Sequence, residues 1–216
     1  MVDFTGGTWR SLIDGQEVSA IPDGLVDNFE NADADPAGVY ETGETIADYY
    51  SQDTADFART TETVFNGGHA LEATSDNVDI VSTPGDGLPN YPSQPVTIEY
   101  YYYTVPGSSG GCNIIAQNGD GYLCQPRHRD SDLRLIRRDG FGFEELASTT
   151  MNTSDNTWYR IEFEYVNDDL TATVEQTDGT EVASESATDA THSDVEGIGW
   201  SDYANGGAIV DEAFII

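Results

Sequence analysis

The densest chemistry in this sequence lies in residues 125–138. Arg127, Arg129, Arg134, Arg137 and Arg138 are five of the chain's eight arginines, and His128 sits among them. A guanidinium presents a planar fork of donors that matches a carboxylate or a sulfate through paired hydrogen bonds. One reading is a patch for an anionic partner, either an acidic or sulfated glycan or an acidic neighbouring subunit. Asp130, Asp132 and Asp139 fall in the same stretch. They favour a second reading, in which the arginines form salt bridges within or between subunits. The two cysteines, Cys112 and Cys124, flank a turn at 117–121. Strands folding back about that turn would set them opposite each other. A disulfide then fits the separation limits, and two buried thiols are the other reading.

Aromatic residues supply a second kind of chemistry, because sugar rings stack on Tyr and Trp faces. In residues 96–103, Val96, Ile98, Tyr100 and Tyr102 share one face of a strand, and Tyr101 and Tyr103 share the other. One pair must be core, and the other lines a second face. Tyr122, Phe141, Trp200 and Tyr203 lie near expected loops and add to a rim. The candidate glycan-binding set is Tyr101, Tyr103, Trp200 and Tyr203 with Arg127, His128 and Arg129. The competing reading makes these rings core or subunit contacts.

Composition narrows the setting. The 216 residues carry 40 acids against 8 bases, a net charge of −32, and all eight bases are arginine. Nucleic-acid binding needs a basic footprint, and this balance opposes it. Insertion into a membrane is not expected, since no apolar run reaches 18 residues. Aromatic residues at 11% and hydrophobic residues at 38% exclude a disordered acidic tail. Repulsion among so many acids is severe in dilute buffer. At molar salt the Debye length falls to about 3 Å and the repulsion is screened. Abundant acid, arginine without lysine and many small residues fit proteins of halophilic archaea and their viruses.

These residues must be positioned by strands. Gly (22) and Pro (8) punctuate the whole length, and no long segment keeps a helical period. Alternation recurs at 96–103, 158–165 and 170–175. Asp178-Gly179 is a hairpin turn. Further strands are expected at 25–30, 56–63, 69–74, 113–116, 121–125, 133–138, 144–149, 180–186, 195–200 and 208–216. About a dozen short strands argue for an all-β fold, an antiparallel two-sheet jelly-roll sandwich. Residues 8–21 resemble a small hairpin around Asp14-Gly15, and Pro22-Asp23-Gly24 breaks the chain. The expected division is a short N-terminal arm at 1–24 and a sandwich at 25–216. The hairpin as an edge of the main sheet is the alternative.

The order of these elements resembles the concanavalin A-like lectin/glucanase jelly roll with its laminin-G-like relatives. The resemblance covers about 190 residues, from Leu25 onward. Val26-Asp27-Asn28-Phe29-Glu30 resembles its opening strand. Gly67-Gly68-His69-Ala70-Leu71 resembles a G-x-x-A-L strand, and Trp158-Tyr159-Arg160-Ile161 a W-Y-R-I strand. Gly197-Ile198-Gly199-Trp200 and the closing 209–215 follow in order. The resemblance implies a structural calcium near the joined first and last strands, for which Asp27, Glu30 and Asp211 are the candidate ligands. It also implies two catalytic patterns that are missing. The glucanase E-x-D-x-x-E strand is absent; Glu162 and Glu164 lack its other acids and read as outer-face residues. The lyase-type Q-I-H, R-x-E-x-R and Tyr-Lys strands are absent too.

The expected protein is therefore not an enzyme. It is a virion structural and adhesion protein of a haloarchaeal tailed virus: a capsid decoration, turret or tail-fibre component. The arm at 1–24 would contact other virion proteins, the chain would form a homo-oligomer, and the sandwich would meet a host surface glycan or glycoprotein. No signal peptide is visible, which agrees with a place on the virion surface after assembly in a salty cytoplasm. The alternative is a haloarchaeal carbohydrate-binding module or polysaccharide-active enzyme. The salt argument is tested directly. The thermal midpoint should rise when KCl goes from about 0.1 M to about 1 M, because the Debye length shrinks from about 10 Å to about 3 Å. An unchanged or lower midpoint sinks the halophilic reading.

Overall fold

A computed structural model describes residues 11–13, 16–18, 23–32, 38–116, 118–140, 142–204 and 207–216. The Asp14-Gly15 turn, most of the 1–24 arm and Phe141 lie outside the described residues. The strands run β1 (Ser11–Ile13), β2 (Gln16–Val18), β3 (Leu25–Asp27), β4 (Ser51–Gln52), β5 (Phe57–Thr60), β6 (Ala70–Ala73) and β7 (Val78–Ser82). Next are β8 (Val96–Tyr103), β9 (Gly110–Ile115), β10 (Gly121–Arg127), β11 (Asp132–Asp139) and β12 (Gly142–Thr150). The last five are β13 (Trp158–Val166), β14 (Asp169–Gln176), β15 (Glu181–Thr188), β16 (Gly197–Asp202) and β17 (Ile209–Ile215). One short helix, α1 (Ile46–Tyr49), precedes β4.

The fold is all-β, two antiparallel sheets packed as a sandwich, as the alternation implied. A seven-stranded sheet has the order β12-β11-β10-β9-β16-β7-β4. An eight-stranded sheet has the order β15-β14-β13-β8-β17-β6-β5, with β3 paired to β17. β1 and β2 form a separate two-stranded sheet. α1 and β7 were not expected from sequence. α1 is a single turn, too short to show a period. In β7 four of the five residues are buried, so alternation is hidden.

Alternation does its clearest work in the eight-stranded sheet. Val96, Ile98, Tyr100 and Tyr102 are buried, while Thr97, Glu99, Tyr101 and Tyr103 are half-buried. β13 repeats the pattern with Tyr159, Ile161, Phe163 and Tyr165 inward. Opposite them the seven-stranded sheet contributes Ile80, Ile114, Tyr122, Leu133, Leu135, Ile198 and Trp200. The buried rings meet edge-on, as Tyr100 and Trp200 do at 5.4 Å between centroids.

Burial corrects two of the rim residues. Trp200 is 1% exposed and Tyr122 is fully buried. Both stand on core-facing positions of their strands. Trp200 lies opposite Cys112 and Ile80, and Tyr122 opposite Ile114. Closeness to a loop in sequence does not say which face a strand residue takes. The Trp200 indole donates to the Tyr50 hydroxyl (3.2 Å) rather than to a ligand. Trp200→Ala should therefore cost about 3–5 kcal/mol of stability, read by chemical denaturation in molar salt. A loss below about 1 kcal/mol would contradict its place in the core.

Candidate functional site

The three central strands of the seven-stranded sheet have an unusual property. β9, β16 and all but the last residue of β10 are buried along their whole length. Only one face of each can look into the core, so the outer face must be covered as well. The register shows what lies there. Ile136, Leu123, Asn113, Gly199 and Val81 form one row across β11, β10, β9, β16 and β7. Gly111, Ser201 and Asp79 belong to the adjacent row, with Gln125 and Arg134 on β10 and β11. The floor is built from short side chains. A Cβ on Gly111 would collide with the carbonyl oxygen of Cys124, and one on Gly199 would lie 2.6 Å from that of Ile80.

The cover comes from longer residues. Arg138 lies over the Phe143 ring, 5.9 Å from its centroid, and its Nη1 reaches Asp79 Oδ2 at 3.4 Å. Phe143 meets Tyr203 edge-on at 5.6 Å, and the Tyr203 hydroxyl donates to Asp79 Oδ1 (3.2 Å). Beside this cover opens a recess of about 240 Å³. Ser109, Leu123, Gln125, Ile136 and Ala204 line it, with Phe143 and Tyr203 on one side and Arg127, Arg129 and Arg134 on another. A wider groove of about 490 Å³ beside α1 is lined largely by Thr and Ala, with Glu44, Arg59 and His69 as its charged and titratable groups.

The recess is polar in a particular way. Among the described residues, five buried side-chain atoms lack a hydrogen-bond partner. Ser109 Oγ lines the recess, and Asn113 Oδ1 and Arg138 Nε belong to the same outer face, where Arg138 Nη1 is ion-paired with Asp79. Buried polar atoms are nearly always satisfied, so a cluster of orphans on one face marks a place where a ligand or water completes the bonding.

The arginines are held by carboxylates. Arg127 pairs with Asp130 and, at 3.4 Å, with Asp132. Arg134 bridges Asp132 (2.8 Å) and Glu145 (2.9 Å). Arg137 joins Asp139, Glu144 and Asp189. Burial draws the Arg127 guanidinium below its ordinary value, and Arg134 and Arg129 push the same way against the raising effect of Asp132. Arg129 differs: it is 53% exposed, and its contact with Asp130 is 4.0 Å long.

The expected glycan set thus separates. Arg127, Arg129 and Tyr203 share the recess. His128 does not line it; its Nδ1 and Nε2 are bonded to Thr153 (2.7 Å) and Asp155 (2.6 Å). Tyr101 and Tyr103 stand on the outer face of the other sheet, where Phe65 stacks on Tyr101 at 3.6 Å and Trp158 packs on Tyr103 at 5.2 Å. Trp200 is core. The sequence reading missed Gln125 as a liner, and it missed Ser109 and Phe143. Gln125 and Phe143 carried a signal, since both lie in or beside the arginine stretch.

Asp27, Glu30 and Asp211, the residues expected to hold calcium, are engaged by protein groups in this structure. Among the described residues no group of three His, Cys, Asp or Glu is arranged for a metal. Each carboxylate is occupied by protein donors. Asp27 accepts from the hydroxyls of Tyr40 (2.9 Å) and Tyr50 (2.8 Å) and from Phe29 N–H (2.7 Å). Glu30 accepts from Gly68 and His69 N–H, and Asp211 from Phe65 and Asn66 N–H. Cys112 and Cys124 do face each other across the β9–β10 ladder. In this structure they are buried free thiols, one of the two readings the sequence leaves open. Burial pushes the Cys124 thiol up to about 12.

Burial also raises Asp27 and Asp202 to about 6 and Asp211 to about 7. These folded-state values lie above the unfolded one. Between them the folded chain holds protons that the unfolded chain has released. The stability involved is present below the unfolded value and is lost as pH rises through about 6 to 7. Lowering pH from about 8 to about 5 should therefore raise the denaturation midpoint in molar salt. A midpoint that falls over that interval would show these carboxyls are not buried as described.

No family model matches the chain, and no curated protein matches it. Its likeness is to solved structures. The carbohydrate binding module CBM66 from Bacillus subtilis is similar over 74% of this chain and 94% of its own, with 15% identity and a TM-score of 0.55. A Bacillus subtilis protein of unknown function with a galectin-like fold covers 77% and 88%, at 11% identity and 0.52. The exoplasmic/lumenal domain of VIP36, in a Ca2+/Man3GlcNAc-bound form, covers 78% and 88%, at 7% and 0.51. At these identities the likeness shows the fold, a lectin-type jelly-roll sandwich.

Proposed function

We propose that this chain is a glycan-binding module without catalytic activity, and that the recess on the outer face of its seven-stranded sheet is the binding site. The observation that carries the reading is the grouping there of a buried, unpartnered Ser109 hydroxyl, the Gln125 amide, arginine donors and the Phe143 and Tyr203 rings. Sugars need that combination: several hydrogen bonds for hydroxyls and an aromatic edge or face for the ring carbons. A recess of about 240 Å³ is smaller than the roughly 300–1,000 Å³ of drug-sized sites, which suits one or two sugar units. The similar structures that bind carbohydrate, CBM66 and the VIP36 domain, add support through shared architecture.

The setting we propose is the surface of a haloarchaeal tailed-virus particle, where the sandwich meets a host glycan or glycoprotein. The net charge of −32 and the absence of lysine support a molar-salt environment. The separate β1–β2 sheet supports an arm at 1–24 that contacts other virion proteins.

Labelled protein should bind haloarchaeal cells saturably in molar KCl, and free sugars or released surface glycans should compete. Phe143→Ala should weaken that binding by roughly 0.5–1.5 kcal/mol through loss of the ring contact. Phe143 is 50% exposed, so the fold should tolerate the change. Absence of saturable binding by a folded protein, or binding that no saccharide displaces, would reject the reading.

A further inference from the structure

We infer that the recess selects an anionic saccharide, a sugar bearing a carboxylate or a sulfate, with Arg129 as the group that takes the charge. The inference rests on the glycan-binding reading and adds the class of ligand.

The chain's charge makes this recess distinctive. On a surface of net charge −32, an anion is repelled almost everywhere. Three of the eight arginines line this one recess. They do not have equal freedom. Asp132 Oδ2 serves both Arg127 and Arg134, and Arg134 also holds Glu145. Arg129 has the single long contact with Asp130, outside hydrogen-bond range, and more than half of its side chain is exposed. Its backbone is fixed, since its N–H donates to Ser108 O (3.1 Å). That bond ties it to the segment carrying Ser109. A guanidinium on a fixed backbone with its donors unused is ready to receive a planar or tetrahedral oxyanion. Burial first, and then the neighbouring Arg134 and Arg129, lower the proton affinity of Arg127 against the raising effect of Asp132 and Glu145.

The rest of the recess argues that the anion is part of a sugar. Ser109 Oγ is buried and unpartnered, and the buried Gln125 lines the same recess. These groups address hydroxyls, which a simple inorganic anion does not carry. Phe143 and Tyr203 give the uncharged part of a ring an apolar wall. Molar salt cancels long-range attraction, because the Debye length is then about 3 Å. Selection must come from direct hydrogen bonds between Arg129 and the oxyanion.

The test compares matched polymers by affinity electrophoresis and equilibrium dialysis in molar KCl. The pairs are polygalacturonate against its methyl ester and dextran sulfate against dextran. The charged member of at least one pair should bind tenfold or more tightly. Arg129→Ala should bring it down to the neutral member's level. Arg129→Lys, which keeps the charge but not the planar fork, should recover only part of the difference. Thr171→Ala on the other sheet should change nothing. Equal binding of charged and neutral members, unaffected by Arg129→Ala, would overturn the inference and leave the glycan reading intact. Polyglutamate binding as tightly as the charged polysaccharide would overturn it too, by showing a site for any polyanion. If no polymer binds and cells are not bound either, both fail together.

Discussion

The constraint on which the rest of the structure depends is the double burial of β9, β10 and β16. A strand buried on both faces cannot alternate polar and apolar residues. It needs small residues where another element lies close, and the outer rows supply Gly111, Gly199, Asn113 and Ser201. Small residues leave a floor low enough for Arg138, Phe143 and Tyr203 to lie across it. The cover in turn has an edge, and the recess opens at that edge. Removing water from this face leaves Ser109, Asn113 and Arg138 with unmade hydrogen bonds. Each such bond is a loss to the folded state of about 1–3 kcal/mol unless something completes it. The same burial that shapes the recess leaves the Ser109 hydroxyl on its wall without a partner.

This constraint also explains what could be read from sequence. β8 and β13 were legible because one face is in the core and the other is in contact with solvent, so Ile98, Tyr100, Ile161 and Phe163 stand out against Glu99, Arg160 and Glu162. β9 and β16 offered no such contrast, and their bounds came out short or shifted. Trp200 and Tyr122 were misplaced for the same reason: when both faces are buried, residue type does not reveal the face. The cross-strand approach of Cys112 and Cys124 was legible from turn spacing alone. The arginine cluster was legible as composition. Its division into committed residues and the exposed Arg129 was not, because that depends on which carboxylates the β10–β11 turn and the bulge of β12 bring near.

Charge is organised by the same economy of positions. Arg160 gathers Glu99, Glu162 and Glu175 on the outer face of the eight-stranded sheet. Arg137 gathers Asp139, Glu144 and Asp189 at the edge of the other. Each of these two cations stands among several acids, so it relieves repulsion among carboxylates as well as pairing with them. Isolated exposed pairs contribute little, whereas such clusters act as networks. Glu162 is thus engaged by Arg160 and its strand partners.

The pairing of β3 with β17 sets Leu25 beside Phe214, and Ile215 N–H donates to Gly24 O (2.7 Å). The sandwich is therefore close to a closed circuit: its first and last strands are neighbours. A short linker could join them and new ends could be opened at an exposed turn such as 178–179 without disturbing the ladder that carries the recess. Whatever is attached before residue 25 or after residue 216 leaves from one place on the molecule. Two attachments made there would compete for the same space.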